Sequence, residues 1–388
     1  MRGFKTEYTI VSIGDLHFGA SDPKTLLYEL QKEFIEYLER MEVIDLIVIV
    51  GDLLHNKLSL NSLTARLTME FLRRLIKVAR EKSSKLRIIK GTESHDNKQL
   101  ELLDIITSID NSVDIKTISS VMEEDIFDNL KVLYIPEEYV MNKEDYYKDF
   151  FKNNYDLIFG HGLFHETSFH AINQESEITH PKAPIFDSKK FIDICRGPIF
   201  FGHIHKSQSI KNRIFYTGSF TRWCYGEEED KGFYITTYNT ETNDFKEEFI
   251  KNKLANLYNT VTIDILDVTS EIDKQFEIIN RIIDDSRDTN TRIVLNIDNN
   301  EKYKSYLSLL QEKVSKSNHI KLKINNNSTL KRKKEVEEKI NTLMKKYHFV
   351  FDKSLSCEDK IAEFIKVKHN KHISTDIIRK CLYEEILQ

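Results

Sequence analysis

The chain has 388 residues, of which 40% are hydrophobic and 31% are charged, and its net charge is −5. This length predicts two or three domains, and the apolar content excludes a wholly disordered chain. A net negative charge argues against a nucleic-acid-binding protein unless bound divalent cations offset it locally.

The cysteines and the apolar runs indicate the compartment. Cys195, Cys224, Cys357 and Cys381 are scattered without a C-x-x-C pair, so we predict free thiols rather than disulfides or a structural zinc site. The first residues do not resemble a signal peptide, and the longest apolar runs, such as Leu46–Val50, are too short to cross a bilayer. We therefore expect a cytoplasmic protein with no membrane association.

The first 250 residues repeat one theme, a short apolar run followed by a turn that contains an acid or a histidine. Such runs, rich in Ile, Val and Phe, are typical of strands buried on both faces. Helical periodicity over Thr25–Met41 and Leu60–Glu81 separates the first three runs, which predicts parallel pairing with helical crossovers. The predicted strands are Tyr8–Ile13, Leu46–Val50, Leu86–Ile89, Leu157–Phe159, Ile199–Phe201 and Arg213–Tyr216.

The character of the chain changes after about residue 255. Predicted strands at Thr260–Leu266, Thr291–Ile297 and Ile320–Ile324 alternate with helical stretches near Ser270–Asp285 and Glu301–Ser315. This alternation predicts a small βαβαβ unit, and the residues that follow are mostly helical by period. The chain as a whole is predicted to be an α/β protein.

The turns after the strands of the first 250 residues carry side chains that suit divalent metals. A pair of ions needs carboxylate and imidazole ligands, one carboxylate bridging both ions. On extended backbone, a D-x-H or H-x-H pair directs both side chains to the same side. Because ligands bind beyond the carboxyl ends of parallel strands, we predict one shared metal site. Its candidate residues are Asp15 with His17, Asp52, Ser94 with His95, His161, and His203 with His205.

The order of these motifs, D-x-H, GD-x-x-H, G-x-x-S-H-D, GHG and GHIH, resembles that of the calcineurin-like metallophosphoesterase superfamily. Within it, the chain is similar to the SbcD-type nuclease subunits of the SbcCD break-repair family. The motifs cover roughly residues 8–250. The closer similarity rests on Gly51–His55, Tyr216–Ser219, Arg222, Gly226–Glu227 and Lys231–Phe233.

The resemblance implies a domain organisation. Residues 1–254 would form a metallophosphoesterase β-sandwich flanked by helices, and residues 255–330 a small α+β capping domain that helps to grip DNA. Residues 331–388 would form a C-terminal helical segment that binds the family's ATPase partner. Ile361, Phe364 and Ile365 recur there at helical spacing, as expected of a partner-binding helix, although packing on the chain's own domain is the alternative.

The resemblance also implies which residues hold the metals. The mixed His and Asp ligand set favours Mn²⁺ over Mg²⁺. The family has Asn where this chain has Ser94, and a hydroxyl is a poorer neutral donor than an amide carbonyl, so we expect a weakened second site. The implied ligands are Asp15, His17 and His205 for the first ion, Asp52 for both ions, and Ser94, His161 and His203 for the second ion.

Further residues would act on the substrate. The resemblance makes His95 the catalytic histidine, which stabilises developing charge or protonates the leaving oxygen, with Asp96 as its orienting partner. His55 resembles the histidine that the nuclease branch uses near the scissile phosphate, and a structural hydrogen bond is the alternative. Arg222 suits a bidentate phosphate contact, and a salt bridge to Glu227–Glu229 is the alternative.

The implied function is that of a DNA nuclease acting on ends or hairpins in recombination, repair or replication. The implied partners are DNA, an SbcC-like coiled-coil ATPase and a second copy of the chain. Two other classes stay open: a phosphatase or small-molecule phosphodiesterase on the same core, and a non-catalytic subunit with a weakened metal site. The polarity of digestion and the balance of exonuclease and endonuclease activity do not follow from the sequence.

Overall fold

The fold is taken from a computed structural model, and its residues divide into two compact units. One unit comprises Met1–Thr260 with Thr289–Thr291, and the other comprises Val261–Asp288 with Arg292–Gln388. The structure describes residues 5–59, 61–100, 113–127, 129–167, 183–265, 272–286, 290–297, 303–317, 319–326, 347, 349, 355–369 and 372–384.

The described residues of the larger unit form fourteen strands, in two six-stranded sheets and one two-stranded sheet. The strands are, in chain order, β1 (Glu7–Ile13), β2 (Leu46–Val50), β3 (Lys85–Ile89), β4 (Ile115–Ile118), β5 (Met122–Ile126), β6 (Leu130–Ile135), β7 (Leu157–His161), β8 (Leu163–Phe164), β9 (Ile185–Phe186), β10 (Ile199–Gly202), β11 (Gln208–Ile210), β12 (Ile214–Tyr216), β13 (Gly232–Asn239) and β14 (Phe245–Lys251).

Parallel strands form the centre of both large sheets. The first sheet has the order β14-β13-β1-β2-β3-β4, with β1 to β4 parallel and β13 antiparallel to β1. The second has the order β11-β12-β10-β7-β6-β5, with β12, β10, β7 and β6 parallel. The carboxyl ends of the central strands in each sheet therefore lie at one edge of that sheet.

The two sheets face each other and are covered by helices on their outer faces. Along β2, successive side chains pack into two different hydrophobic cores. Leu46, Val48 and Val50 pack between the two sheets, and Ile47 and Ile49 pack against the helices. This explains the unalternating apolar runs in the sequence. The helices of this unit are Pro23–Glu29, Glu36–Arg40, Leu63–Lys82, Lys143–Tyr147 and Ser188–Ile194, with a π-helical turn Leu30–Ile35 and 3₁₀ turns Asn97–Leu100 and Phe150–Lys152.

One ion pair crosses the interior between the sheets. Arg87 of β3 is fully buried, and its Nε and Nη2 donate to the two carboxylate oxygens of Glu124 on β5 at 2.9 Å each. Its Nη1 donates to the carbonyl oxygens of Leu86 and Asp114 at 3.0 Å. A charge at this depth is tolerated only with such complete pairing.

The smaller unit contains most of a three-stranded sheet in the order β15-β16-β17. Its core includes Ile279, Ile293, Leu295 and Leu307. The strands are β15 (Tyr258–Ile265), β16 (Asn290–Ile297) and β17 (Ile320–Asn326), and the helices are Ile272–Asp285, Lys304–Ser315, Cys357–His369 and Thr375–Glu384.

These observations confirm a mixed α/β sandwich flanked by helices. The predicted separation of residues 255–330 from 331–388 stays a prediction, since the described residues beyond Thr260 fall almost entirely in one unit and residues 327–346 lie outside the described part. Where the chain is described, no helix combines the length and the apolar character that crossing a bilayer requires.

Candidate metal centre

Four residues of the predicted site have left-handed backbone. Asp15 has φ 49°, His17 47°, Asp52 50° and His203 96°. The prediction that D-x-H and H-x-H lie on extended backbone was wrong, because β1 ends at Ile13 and each pair lies in the turn beyond its strand. Positive φ in residues with a Cβ costs about 1–3 kcal/mol each and concentrates at functional sites.

The first ligand group consists of Asp15, His17 and His205, all buried, with ligand atoms within 4.8 Å of one another. The Nε2 atoms of the two histidines face each other at 3.0 Å. His205 Nδ1 lies 2.7 Å from Glu227 Oε1, which places the ring proton on Nδ1 and leaves the Nε2 lone pair directed into the group. The geometry suits a cation between these rings.

The second ligand group consists of Glu137, His161 and His203, also buried. His161 Nδ1 donates to the Val50 carbonyl oxygen at 2.8 Å, so Nε2 is the ring nitrogen that faces the group. His203 Nδ1 lies 3.2 Å from Glu137 Oε2. Thr92 Oγ1 is 3.4 Å from both His161 Nε2 and His203 Nδ1.

Asp52 lies between the two groups. Its Oδ2 is 3.7 Å from His17 Nε2 in the first group and 3.4 Å from His161 Nε2 in the second. Its Oδ1 accepts the Thr92 backbone N–H at 2.6 Å, which holds the carboxylate in place. This is the position that a carboxylate shared by two ions requires.

The charges of the cluster depend on one another. Burial raises the pKa of Asp15 to about 6. Burial would raise the pKa of Asp52 as well, but His161 outweighs it and holds that pKa well below its usual range. Burial would lower the pKa of His161, but Asp52 outweighs it and raises that pKa to about 10. Because a metal ligand must be a neutral imidazole, a cation at His161 would displace this proton.

His95, His55 and Trp223 lie beside the ligand groups and are only partly buried. His95 Nδ1 is 3.0 Å from Asp52 Oδ2, and its side chain is 21% exposed. Burial would lower the pKa of His95, but the hydrogen bond to Asp52 outweighs it and raises that pKa. The ring of His55 lies 5.1 Å from the rings of both His95 and Trp223, and Trp223 lies 5.3 Å from His17.

The structure does not bring Ser94 to the ligand groups. Ser94 is exposed in the turn that precedes His95. The side chain that lies beside the second group is Thr92, two residues earlier in Gly91–Asp96, because its N–H is tied to Asp52. The hydroxyl beside the second group is thus that of Thr92, and the exposed position of Ser94 does not support its predicted role as a ligand.

Asp96 is not placed as an orienting partner of His95. Its buried carboxylate accepts three backbone N–H groups, from Asp52 at 3.0 Å, Leu54 at 2.9 Å and Gly91 at 2.7 Å. Asp96 thus fastens the turn after β2 to the turn after β3. The group that His95 contacts is the carboxylate of Asp52.

The two Nη atoms of Arg222 bond to the protein's own backbone. Arg222 is 7% exposed, its Nη1 donates to the Ala255 carbonyl oxygen at 3.2 Å, and its Nη2 donates to those of Glu228 at 3.4 Å and Glu229 at 2.5 Å. Neither the predicted phosphate contact nor the alternative salt bridge describes these bonds. Arg222 instead closes the loop that carries Trp223.

Sequence reasoning missed several residues of the site. Glu137 follows the apolar run of β6 just as the other candidates follow theirs, so the repeated theme could have found it. Thr92 was passed over inside its motif in favour of Ser94. Glu227 was noted as part of a family motif and as a partner of Arg222, but its contact to His205 joins segments whose proximity the sequence does not show.

The donor set fits divalent cations. Each group offers one carboxylate and two imidazoles, and Asp52 is shared between them. Within the described residues, Glu137 Oε1 and His203 Nε2 are buried without a hydrogen-bond partner. Buried polar atoms are seldom left in this state, and carboxylate with imidazole is the ligand combination of Mn²⁺, Fe²⁺ and Zn²⁺ sites. These clusters are therefore able to hold metal ions.

Comparisons with known proteins are consistent with such a centre. No protein-family model matches the chain. A viral relative, "Putative phosphoesterase 244L" of Invertebrate iridescent virus 6, is 25% identical over 238 residues, which are 59% of this chain and 76% of the relative.

Two solved structures show weaker similarity. GAP50, described as the anchor in the inner membrane complex of Plasmodium, matches with a TM-score of 0.38 at 11% identity, over 65% of this chain and 87% of its own. A hypothetical protein from Thermus thermophilus matches with a TM-score of 0.32 at 9% identity, over 63% of this chain and 99% of its own. At these TM-scores, neither similarity supports a conclusion about function. Through its viral relative, the chain is phosphoesterase-like in sequence.

Proposed function

We propose that this protein is a two-metal phosphodiesterase that hydrolyses the backbone of DNA, an SbcD-like nuclease. The observation that carries the proposal is the position of Asp52 between two buried ligand groups. Two adjacent cations with a shared carboxylate suit phosphoester hydrolysis, because charge develops on both the attacking and the leaving oxygen. The similarity to a phosphoesterase supports the same reaction class.

The ligands would divide as the motif resemblance implies. One ion would be held by the first group and the other by His161 and His203, with Asp52 shared. Two bound Mn²⁺ ions, or Mg²⁺ ions, would make hydroxide available at neutral pH and neutralise charge on the phosphate oxygens. Glu227 and the Val50 carbonyl hold the rings of His205 and His161 in the tautomer that such binding needs.

The chain's own residues supply the proton chemistry. His95 would protonate the leaving oxygen, a role supported by its position beside Asp52, its partial exposure and its raised pKa. His55 and Trp223 flank it and would line the path of the substrate. We infer that His55 contacts the scissile phosphate.

DNA is proposed as the substrate, and an ATPase as the partner, from the motif resemblance and the presence of a second unit. The helices Cys357–His369 and Thr375–Glu384 would engage an SbcC-like coiled coil. Phe364 is 38% exposed and Ile377 55% exposed, which suits helices that bind a partner. A homodimer is part of the same proposal.

The test is hydrolysis of linear and hairpin duplex DNA by the purified protein with Mn²⁺. We expect cleavage that is lost in Asp52→Ala and kept in Asp125→Ala, whose carboxylate is exposed on β5. His95→Asn should bind the ions but cleave at least about 100-fold more slowly. Preference for a small phosphomonoester would instead indicate a phosphatase, and bound ions without hydrolysis of either substrate would indicate a non-catalytic subunit.

A further inference from the structure

Glu137 is a buried carboxylate of the second ligand group to which the motif resemblance gives no role. We propose that Glu137 is a ligand of the second ion and, with Thr92, replaces the neutral amide donor that this chain lacks. The inference rests on the proposed function, because it concerns the same pair of ions.

The first argument is the geometry of the carboxylate. The side chain of Glu137 is fully buried, and its Oε2 lies 3.2 Å from His203 Nδ1, 3.9 Å from His161 Nε2 and 3.4 Å from Thr92 Oγ1. Its Oε1 is buried without a hydrogen-bond partner in the described part of the chain. A cation among these three neighbours would lie beside Oε2, and a carboxylate that also contacted this ion through Oε1 would satisfy the oxygen that is otherwise left unpaired at a cost.

The second argument is that the backbone selects Glu137 and not its neighbour. Ile135, two residues earlier, pairs with Gly160 on β7, so the chain passes beside His161 as it leaves β6. Glu138 faces elsewhere: its Oε2 accepts the Val121 N–H at 3.0 Å and its Oε1 accepts the Tyr146 hydroxyl at 2.7 Å. Glu137 is therefore the proposed ligand, and its neighbour Glu138 serves as the matched control for mutation.

The third argument is symmetry of charge. With Glu137 included, each group supplies one carboxylate of its own and two imidazoles, Asp15 with two histidines on one side and Glu137 with two on the other. Asp52 is common to both. The second site is then not a weakened one, and we expect the wild-type protein to bind two Mn²⁺ ions.

The test counts ions and separates the two sites. Equilibrium dialysis with Mn²⁺ gives the total number of ions bound. The fluorescence of Trp223, the only tryptophan of the chain, reports on the first group. The rings of His17 and His205 in that group lie 5.3 and 5.2 Å from the Trp223 ring. In Glu137→Gln, the second ion should bind more weakly by about tenfold or more, while the fluorescence midpoint stays unchanged. Glu138→Gln should match the wild type in both.

The outcomes distinguish the inference from the proposed function. If the wild type binds two ions and Glu137→Leu, which removes both side-chain oxygens, binds both with unchanged affinity, Glu137 is not a ligand and the inference is wrong. If the wild type binds fewer than two ions, the proposed function itself loses its basis. Thermal unfolding of metal-free Glu137→Gln establishes that the variant is folded, so a lost ion reports on the ligand.

Discussion

At the scale of single residues, the tautomer of His205 depends on Glu227, a carboxylate outside both ligand groups. Burial would raise the pKa of Glu227, but the bond to His205 outweighs it and keeps the pKa low, so Glu227 is charged and holds the ring proton on Nδ1. A histidine without such a partner is free to rotate and to change its tautomer, which weakens metal binding.

Glu227→Gln should therefore lower the affinity of the first site for Mn²⁺ by about 10- to 100-fold. The measurement is a Mn²⁺ titration followed by Trp223 fluorescence, and Glu228→Gln, with its exposed side chain, is the control. Identical midpoints in both variants would show that Glu227 does not govern the ring of His205.

Arg222 allows a prediction that separates structure from substrate binding. Arg222→Met removes the donors to three carbonyl oxygens and should lower the free energy of unfolding by about 1–3 kcal/mol. Because both Nη atoms already donate to backbone carbonyls and the side chain is buried, KM for the substrate should stay close to that of the wild type once the variant is folded. Urea denaturation measures the change in stability, and steady-state kinetics measure the change in KM. A large rise in KM with unchanged stability would instead support the predicted contact between Arg222 and a substrate phosphate.

At the scale of elements, the turn after β3 must approach the turn after β2 without a side chain between them. A Cβ at Gly91 would lie 2.2 Å from Asp52 Oδ1 and 2.3 Å from its backbone nitrogen, although the φ of Gly91 is ordinary. Gly91→Ala should therefore displace the shared carboxylate and abolish tight binding of both ions.

A second glycine gives the contrast. At Gly226 a Cβ would meet nothing within 4 Å, but φ is +102°, so Gly226→Ala should cost only about 1–3 kcal/mol of backbone strain and leave both ions bound. Ion counts by dialysis distinguish the two variants. Retention of two tightly bound ions by Gly91→Ala would contradict the described packing around Asp52.

The elements that the sequence predicts best are those with the plainest physical signal. The six strands that the sequence predicted in the larger unit match the observed strands to within two residues at each end, because each is a short apolar run followed by a turn with a polar residue, glycine or histidine. Two interior strands, β6 and β13, were not predicted. Strands at the edges, such as β5 and β14, alternate exposed charges with half-buried residues and were not predicted.

Within the turns, sequence reasoning was less exact. The extended geometry assumed for Asp15 and His17 was wrong because φ in a turn depends on its neighbours, here the bonds from Asp15 N to the Gly51 carbonyl at 3.1 Å and from His17 N to that of Asp52 at 2.9 Å. The exposed position of Ser94 was not predictable for the same reason. Which hydroxyl faces inward is decided by a bond to another turn.

At the scale of the whole molecule, the pair of Arg87 and Glu124 connects the two sheets. Burial would raise the pKa of Glu124, but Arg87 and Lys116 outweigh it and hold the pKa below its ordinary value. The stability that this lowering contributes is present above about pH 4.5, where an unfolded glutamate is ionised, and is lost as pH falls through the lower folded-state pKa.

Glu124→Gln should therefore lower the free energy of unfolding by about 2–3 kcal/mol at pH 7, and the difference from wild type should shrink as the pH falls below about 4.5. Urea denaturation of the metal-free proteins at pH 7 and pH 3.5 measures it. Glu123→Gln, on the same strand but with a 38% exposed side chain, should cost less than about 1 kcal/mol. A difference that does not depend on pH would rule out the ion pair as its source.

The ligand groups draw on both halves of the sandwich: Asp15 and Asp52 follow strands of the first sheet, and His161 and His203 end or follow strands of the second. Ions held as proposed would cross-link the two sheets and could be removed again. Binding of the metal ions and folding of the sandwich would therefore be thermodynamically linked. At free Mn²⁺ one hundred times the dissociation constant, each site adds about 2.7 kcal/mol to the unfolding free energy. A chelator would then act on this protein as a mild denaturant, and its melting temperature would measure ion occupancy without any substrate.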